Sequence, residues 1–414
     1  MKTIGSIHQI NIHYCTGATK VPMGTLVAKG RNIFFEYDFA FLQSGLELSP
    51  FKLPLKQGLI VCEDSVFDGL FGVFNDSLPD GWGRLLLDRK LMNLGINPDQ
   101  LTPLDRLSYV GRHGMGALFY EPVISESPPF KLPDLDQIAE ECIQFQRNDN
   151  ENFIDDLLLL NGSSAGASPK ILVSFTDDSY ELSNNYISRY HDDWIIKLIS
   201  SLDPIDIGPI EYAYHLMAVD AGLEVPEAKL FDSKKYPGYF GVKRFDRVGK
   251  EFIHMHSLSG LLHFDHRIPL LDYHTIMKVT QRLTKNNDEC EKQYRNAVFN
   301  VLSHNRDDHA KNFSFLMSRK GLWTVSPAYD LTFSWGPGGE HSTVVMGEGK
   351  NPELRHLLKL AKENNINEIR ALEIIEQVKN SVMRWKEFAK SADVSSKSTK
   401  MIKSALDSLL KKIK

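Results

Sequence analysis

The sequence predicts an α+β fold built in three successive parts, and three observations carry that prediction. Residues 1–125 alternate short apolar and polar runs broken by Gly and Pro, as in GTLVAKGRNIFFEYD and LIVCEDSVF. That is the pattern of an antiparallel sheet. Residues 135–260 mix helical stretches with strand-like runs, and from 261 onward helical periodicity dominates, interrupted by one loop and its flanking strands. The expected parts are a β-rich segment 1–130, a mixed segment 131–260 and a mostly helical segment 261–414. A chain of 414 residues with 42% hydrophobic content can bury a large core divided among subdomains.

Within the first part, GWGRLLLDRKLMNLG reads as a helix ending at Gly95. Asp76, Asp80 and Trp82 in NDSLPDGWG look like chemistry in isolation, but turn, cap and packing roles account for them. GRHGMGALFY, 111–120, has the glycines of a phosphate loop without a β–α unit around them, so it reads as a tight turn into a strand. ESPPFKLPD, 126–134, marks a linker.

The second part opens with NGSSAGASPKILVSF, 161–175. Its small residues let backbone N–H groups approach anionic oxygens. The spacing is neither G-x-x-x-x-G-K-[ST] nor G-x-G-x-x-G, and a flexible linker has the same composition. DDWIIKLIS, 192–200, reads as a buried strand carrying Lys197. A cation there either meets an anion or snorkels to water. PIEYAYHLMAVDAGL then reads as a helix with Glu211 near its start, placed to pair with a strand lysine or to suit the helix dipole.

The third part holds the most informative stretch. NRDDHAKNFSFLM follows an amphipathic helical run, EKQYRNAVFNVLSHN, and precedes LWTVSPAYDL. Asp307 is followed five residues later by Asn312, then by two strand-like runs, then by Asp330. Phosphotransferases use an Asp that orients the acceptor hydroxyl, an Asn that holds a metal and a second Asp that holds the metals. Hard oxygen donors suit the Mg²⁺ that accompanies nucleotide phosphates. Asp308 adjoins Asp307, and the five-residue spacing to Asn312 selects Asp307. The loop GPGGEHSTVVMGEGK, 336–350, follows Asp330 as an activation or substrate loop would.

Together the segments NDSLPDGWG, GRHGMGAL, SSAGASPK, WIIKL, FGVKRFDR, HMHSLSGLL, NRDDHAKNFSF and SPAYDL resemble the HipA family of bacterial toxin kinases across nearly the whole chain. The resemblance implies a kinase-like two-lobed fold and an ATP- and Mg²⁺-dependent protein serine/threonine kinase. It implies a small helix-turn-helix antitoxin of the HipB type as partner, DNA reached only through that antitoxin, and a cytosolic protein target such as an aminoacyl-tRNA synthetase. By motif, Asp307 falls on the catalytic Asp, Asn312 and Asp330 on the metal ligands, and Lys197 on the nucleotide-phosphate lysine. Lys170 closes the Gly/Ser loop that contains Gly166. Ser163 falls on the autophosphorylated serine, with Ser164 as the adjacent alternative. Met255, His256, Ser257 and Leu258 fall on the adenine hinge, although HMHSL departs from the Gln/Glu-rich hinge of one branch. A small-molecule hydroxyl kinase shares the Asp-x₄-Asn logic, and a non-catalytic corepressor holding an antitoxin on DNA is the third reading.

Composition narrows the setting. No apolar run reaches the roughly 18–20 residues of a membrane span, and MKTIGSIHQINIHY lacks a secretion-signal core. Cys15, Cys62, Cys142 and Cys290 are scattered without C-x-x-C spacing, which points to a reducing cytoplasm. His254, His256, His263 and His266 lack the spacing of a metal site. A net charge of −5 argues against the whole chain binding nucleic acid. The basic tail KSTKMIKSALDSLLKKIK reads either as a DNA- or partner-facing helix or, the reading favoured here, as an amphipathic helix packed through Met401, Ile402, Ala405, Leu406, Leu409 and Leu410 with its lysines in water.

Overall fold

The computed structural model describes residues 7–17, 19–30, 32–124, 134–147, 153–161, 166, 168–176, 179–183, 192–268 and 271–413. The chain forms two compact units. One comprises Met1–Asp203, Gly241–Phe264 and Leu316–Leu322; the other comprises Pro204–Phe240, Asp265–Phe315 and Trp323–Lys414.

The first unit opens on a five-stranded sheet with Ile60–Val61, Asn32–Tyr37, Thr19–Lys29, Gln9–Thr16 and Leu118–Glu121 as successive neighbours. Period-2 alternation turns Ile10, Ile12 and Tyr14 inward. Phe35 packs against Phe71 and Phe74, and Tyr37 stacks on Phe41. The helix Gly81–Asn93 ends as its sequence predicts, with Gly95 at positive φ. The helix Pro103–Val110 starts with a capping box between Thr102 and Asp105. Helices Gly72–Asn75 and Leu258–Leu262 meet at two glycines: a Cβ on Gly72 would lie 2.0 Å from the Gly260 carbonyl oxygen.

The same unit holds a second sheet. Lys170–Thr176 lies between Ser179–Ser183 and Asp192–Lys197, and Asp192–Lys197 pairs on its other side with Gly241, Val242 and Lys243. The linker expected at 126–134 lies outside the described residues except for Asp134, which caps the helix Leu135–Gln146.

The second unit is mainly helical: Ile207–Asp220, Tyr273–Thr284, Asn287–Leu302, Leu354–Glu363, Glu368–Met383, Trp385–Ser391 and Ser396–Leu410. Tyr214, Tyr273, Tyr294, Phe299 and Trp385 are fully enclosed in its core. Leu271–Asp272 and Thr343–Val344 add a short parallel strand pair. The terminal helix packs through Ile402, Leu406 and Leu409; Met401, expected in that stripe, is 43% exposed. Among the described residues no helix is long and apolar enough to cross a membrane.

Candidate active site

The loop around Asp307 is shaped by the helix that precedes it. Asn287–Leu302 ends at Ser303, and His304 turns the chain at a φ of +60°. Asn305 Nδ2 then donates to Asn300 Oδ1 at 2.9 Å and pins the exit to the helix. Asp307 is exposed, while Asp308 is 1% exposed. Asp308 accepts from Tyr273 Oη at 2.7 Å, from the Thr343 backbone N–H at 3.1 Å, and pairs with His341 Nδ1 at 2.9 Å. Burial and the Asp308 carboxylate raise the Tyr273 phenol well above its ordinary value, keeping it a donor. Asp308 is therefore part of the buried architecture, while its neighbour Asp307 lies at the exposed surface.

A short 3₁₀ turn, Ala310–Asn312, explains the five-residue spacing. It folds the chain back so that Asn312 Nδ2 donates to the Asp307 carbonyl at 2.8 Å. That bond orients the amide and leaves its oxygen as the end suited to a cation. Asp330 sits at a φ of +57°, a left-handed conformation uncommon for a residue with a Cβ. Its neighbour Tyr329 bonds Ser314 Oγ at 2.6 Å and donates to the Lys311 carbonyl. Tyr329 thus ties the Asp330 segment to the Asp307–Asn312 loop. Sequence reasoning missed this tyrosine; its place between Ala328 and a candidate ligand was the available signal.

The first unit carries the candidate nucleotide residues. Lys170 and Lys197 are register partners on adjacent antiparallel strands. Lys170 is buried and Lys197 half-buried. Leu198 N–H donates to the Pro169 carbonyl at 2.9 Å, and Trp82 N–H to the Gly166 carbonyl at 3.0 Å. Gly166 N–H donates to Asp80, so Asp80 holds the base of the Gly/Ser loop. Gly166 has a φ of +113°, and a Cβ there would lie 2.3 Å from Lys170 Nζ. Ser163 and Ser164 lie outside the described residues. Glu211 is buried on the helix Ile207–Asp220 of the second unit.

In the hinge segment His256 and Leu258 are fully enclosed and Met255 is half-buried. Asp76 accepts from Ser257 N–H at 2.7 Å and Ser257 Oγ at 2.6 Å, and pairs with His256 Nδ1 at 2.6 Å. His256 Nε2 reaches Ser49 Oγ at 3.0 Å. The connectivity Ser–His–Asp is that of a nucleophilic triad, but Ser49 is 1% exposed and no substrate can reach it. The GRHGMGAL turn is held from below: Asp246 takes two bonds from Arg244 and one from Arg247, and Arg247 donates to the Gly114 and Gly116 carbonyls. Among the described residues no group of three or more His, Cys, Asp or Glu side chains gathers for a metal.

Two family profiles match the chain. The HipA N-terminal domain profile matches residues 17–121, and the HipA-like C-terminal domain profile matches residues 162–385. The Sinorhizobium fredii protein described as "Putative kinase Y4dM" is 30% identical over 151 residues. That match covers 33% of this chain and 36% of Y4dM, so the chain spans about a third of the curated relative's length. A chain of the Shewanella oneidensis MR-1 toxin–antitoxin complex of HipA, HipB and operator DNA superimposes with a TM-score of 0.69. It covers 97% of this chain and 95% of that one at 17% identity, a likeness of fold.

Proposed function

The chain belongs to the HipA family, and from that premise we propose that it is an ATP- and Mg²⁺-dependent protein serine/threonine kinase, the toxin of a toxin–antitoxin module. The single observation that carries the reading is the Asn312 amide closed onto the Asp307 carbonyl at 2.8 Å beside an exposed Asp307 carboxylate. Asp307 accepts the hydrogen bond of the acceptor hydroxyl and takes its proton as the new O–P bond forms. The β–γ bridge bond breaks in the same step and releases ADP. The amide oxygen of Asn312 and the carboxylate of Asp330 are hard donors that fit Mg²⁺. When bound, that ion supplies positive charge to the nucleotide phosphates. Lys197 and Lys170, register partners on adjacent strands, hold those phosphates. Gly166 lets the loop backbone approach them, and of the Met255–Leu258 segment the half-buried Met255 is the residue with surface left for the adenine, since His256 and Leu258 are enclosed and Ser257 is bonded to Asp76.

Ser163 is the proposed autophosphorylation site, with Ser164 its alternative. A phosphate adds about −1.5 to −2 charges, which repels the loop from bound nucleotide and switches the enzyme off. The proposed partner is a HipB-type helix-turn-helix antitoxin through which the complex reaches DNA, and the proposed target is a cytosolic protein of the aminoacyl-tRNA synthetase class.

The test is phosphoryl transfer from γ-labelled ATP by the purified chain with Mg²⁺, followed by peptide mapping. One phosphate is expected in the 161–170 peptide, and none in Asp307→Asn or Asp330→Ala. Labelling of both variants at the wild-type rate overturns the assignment. Label passing to small alcohols or aminoglycosides instead of protein supports the small-molecule kinase. Co-expression with HipB-class proteins and size-exclusion chromatography tests the partner.

A further inference from the structure

Asp307 is flanked by two residues that both bind the segment after Asp330. On one side, the Arg306 guanidinium donates to the Gly339 and Lys350 carbonyls, the latter at 3.1 Å, and its own carbonyl accepts from Ser342 N–H at 3.1 Å. On the other, the Asp308 carboxylate holds His341 and the Thr343 N–H. The His341 and Asp308 side chains are 1% and 0% exposed. The segment's own turns add to this: His341 N–H donates to the Gly349 carbonyl at 2.9 Å, and Asp272 receives Gly347 N–H at 2.8 Å.

Residues 336–350 contain two hydroxyl side chains, Ser342 and Thr343. Both are buried and both are spent inward, Ser342 on the Arg306 carbonyl and Thr343 on the Asp308 carbonyl. A loop ordered by phosphorylation needs a hydroxyl that another enzyme can reach and a basic pocket to receive the phosphate. This segment presents neither hydroxyl, and a phosphate on Thr343 would break the contact it now makes.

We infer that Arg306 and Asp308 are positioning residues that latch the 339–350 segment onto the catalytic loop, so that this segment is held ready without covalent modification. The inference rests on the kinase reading for its catalytic consequence but not for its structural one.

The experiment compares wild type, His341→Leu, which removes the partner of Asp308, and His341→Asn, which keeps a donor near the Nδ1 position. With a degenerate Ser/Thr peptide mixture as acceptor, His341→Leu is expected to lower kcat at least ~10-fold, the scale of a misplaced catalytic group. KM for ATP should stay within about twofold, since only positioning in the transition state is lost, and His341→Asn should recover most of the rate. Hydrogen exchange of amides 341–349 should rise in the Leu variant alone, and intact-mass mapping of active wild type should find no phosphate in 336–350. The inference is overturned by a phosphate in that segment of the active enzyme, or by wild-type exchange in His341→Leu. If His341→Leu fails to fold, Thr343→Val, which deletes only the hydroxyl bond to Asp308, is read by the same exchange measurement. If wild type transfers no phosphoryl group at all, the kinase reading falls, and the exchange data decide the latch by themselves.

Discussion

The acid-rich segments at 75–83 and 305–312 use the same residue types for opposite ends. In the first, Asp76 is saturated by His256 and Ser257, and Asp80 holds the Gly166 N–H. In the second, Asp308 takes the buried role and Asp307 is left facing solvent. Carboxylates given to backbone and buried donors build the scaffold, and Asp307 differs from them in lying at the exposed surface. The sharpest way to break this contrast is to neutralise one acid from each segment. Asp307→Asn should lose ~10²–10⁴-fold in phosphoryl transfer with an unchanged urea midpoint. Asp76→Ala should leave the chemistry of Asp307 in place but lose about 3 kcal/mol, because it strands buried donors on His256 and Ser257. Loss of transfer without loss of stability in Asp76→Ala would invert the comparison.

A second test uses pH. Burial alone would raise the Asp246 carboxyl, but Arg244 and Arg247 outweigh it and hold the group well below the ordinary carboxylate range. A depressed acid contributes stability that is complete above its unfolded value of about 4 and is lost as pH falls below it. His254 is lowered to about 3, first by burial and then by His256, and His113 to about 4, first by burial and then by Arg112. These bases stay neutral when folded and gain protons on unfolding, so stability already declines as pH drops below about 6.5. Urea midpoints should therefore fall in two stages. Asp246→Asn should cost about 3–5 kcal/mol at neutral pH, the price of a broken buried ion pair, and should flatten only the stage below pH 4. An unchanged slope there would remove Asp246 from the account.

A smaller effect probes the first unit's lysine pair. Lys197→Ala should weaken Mg-ATP binding by ~10-fold, the loss of one charge-assisted contact, as read by calorimetry. Unchanged affinity would return Lys197 to a snorkelling surface role.

What the sequence made legible was local. Asp307 and Asn312 are joined by one 3₁₀ turn, so their spacing encodes their geometry. The Asn287–Leu302 helix follows from its amphipathic run and the Gly81–Asn93 helix from its closing Gly95. The role of Asp76 was hidden because its partners lie about 180 residues away, and only tertiary folding brings them together. The tie from Tyr329 to Lys311 and the burial of Asp308 beneath residues 341–343 were hidden for the same reason.

The smallest prediction concerns the terminal helix, where the apolar stripe was legible but its edge was not. A helix turns 100° per residue, so Met401 and Ile402 cannot both face the same narrow groove. The structure gives the inward position to Ile402, 0% exposed, with Leu406 and Leu409 at the following helical spacings. Met401 is left 43% exposed at the border. Ile402→Ser should cost about 3 kcal/mol through lost burial and an unpaired hydroxyl. Met401→Ser should change stability by no more than about 0.5 kcal/mol, the range of ordinary surface substitutions. Urea midpoints of the two variants settle it. A Met401→Ser loss as large as that of Ile402→Ser would mean that the helix is rotated by one position, with Met401 packed inward as its apolar character alone suggested.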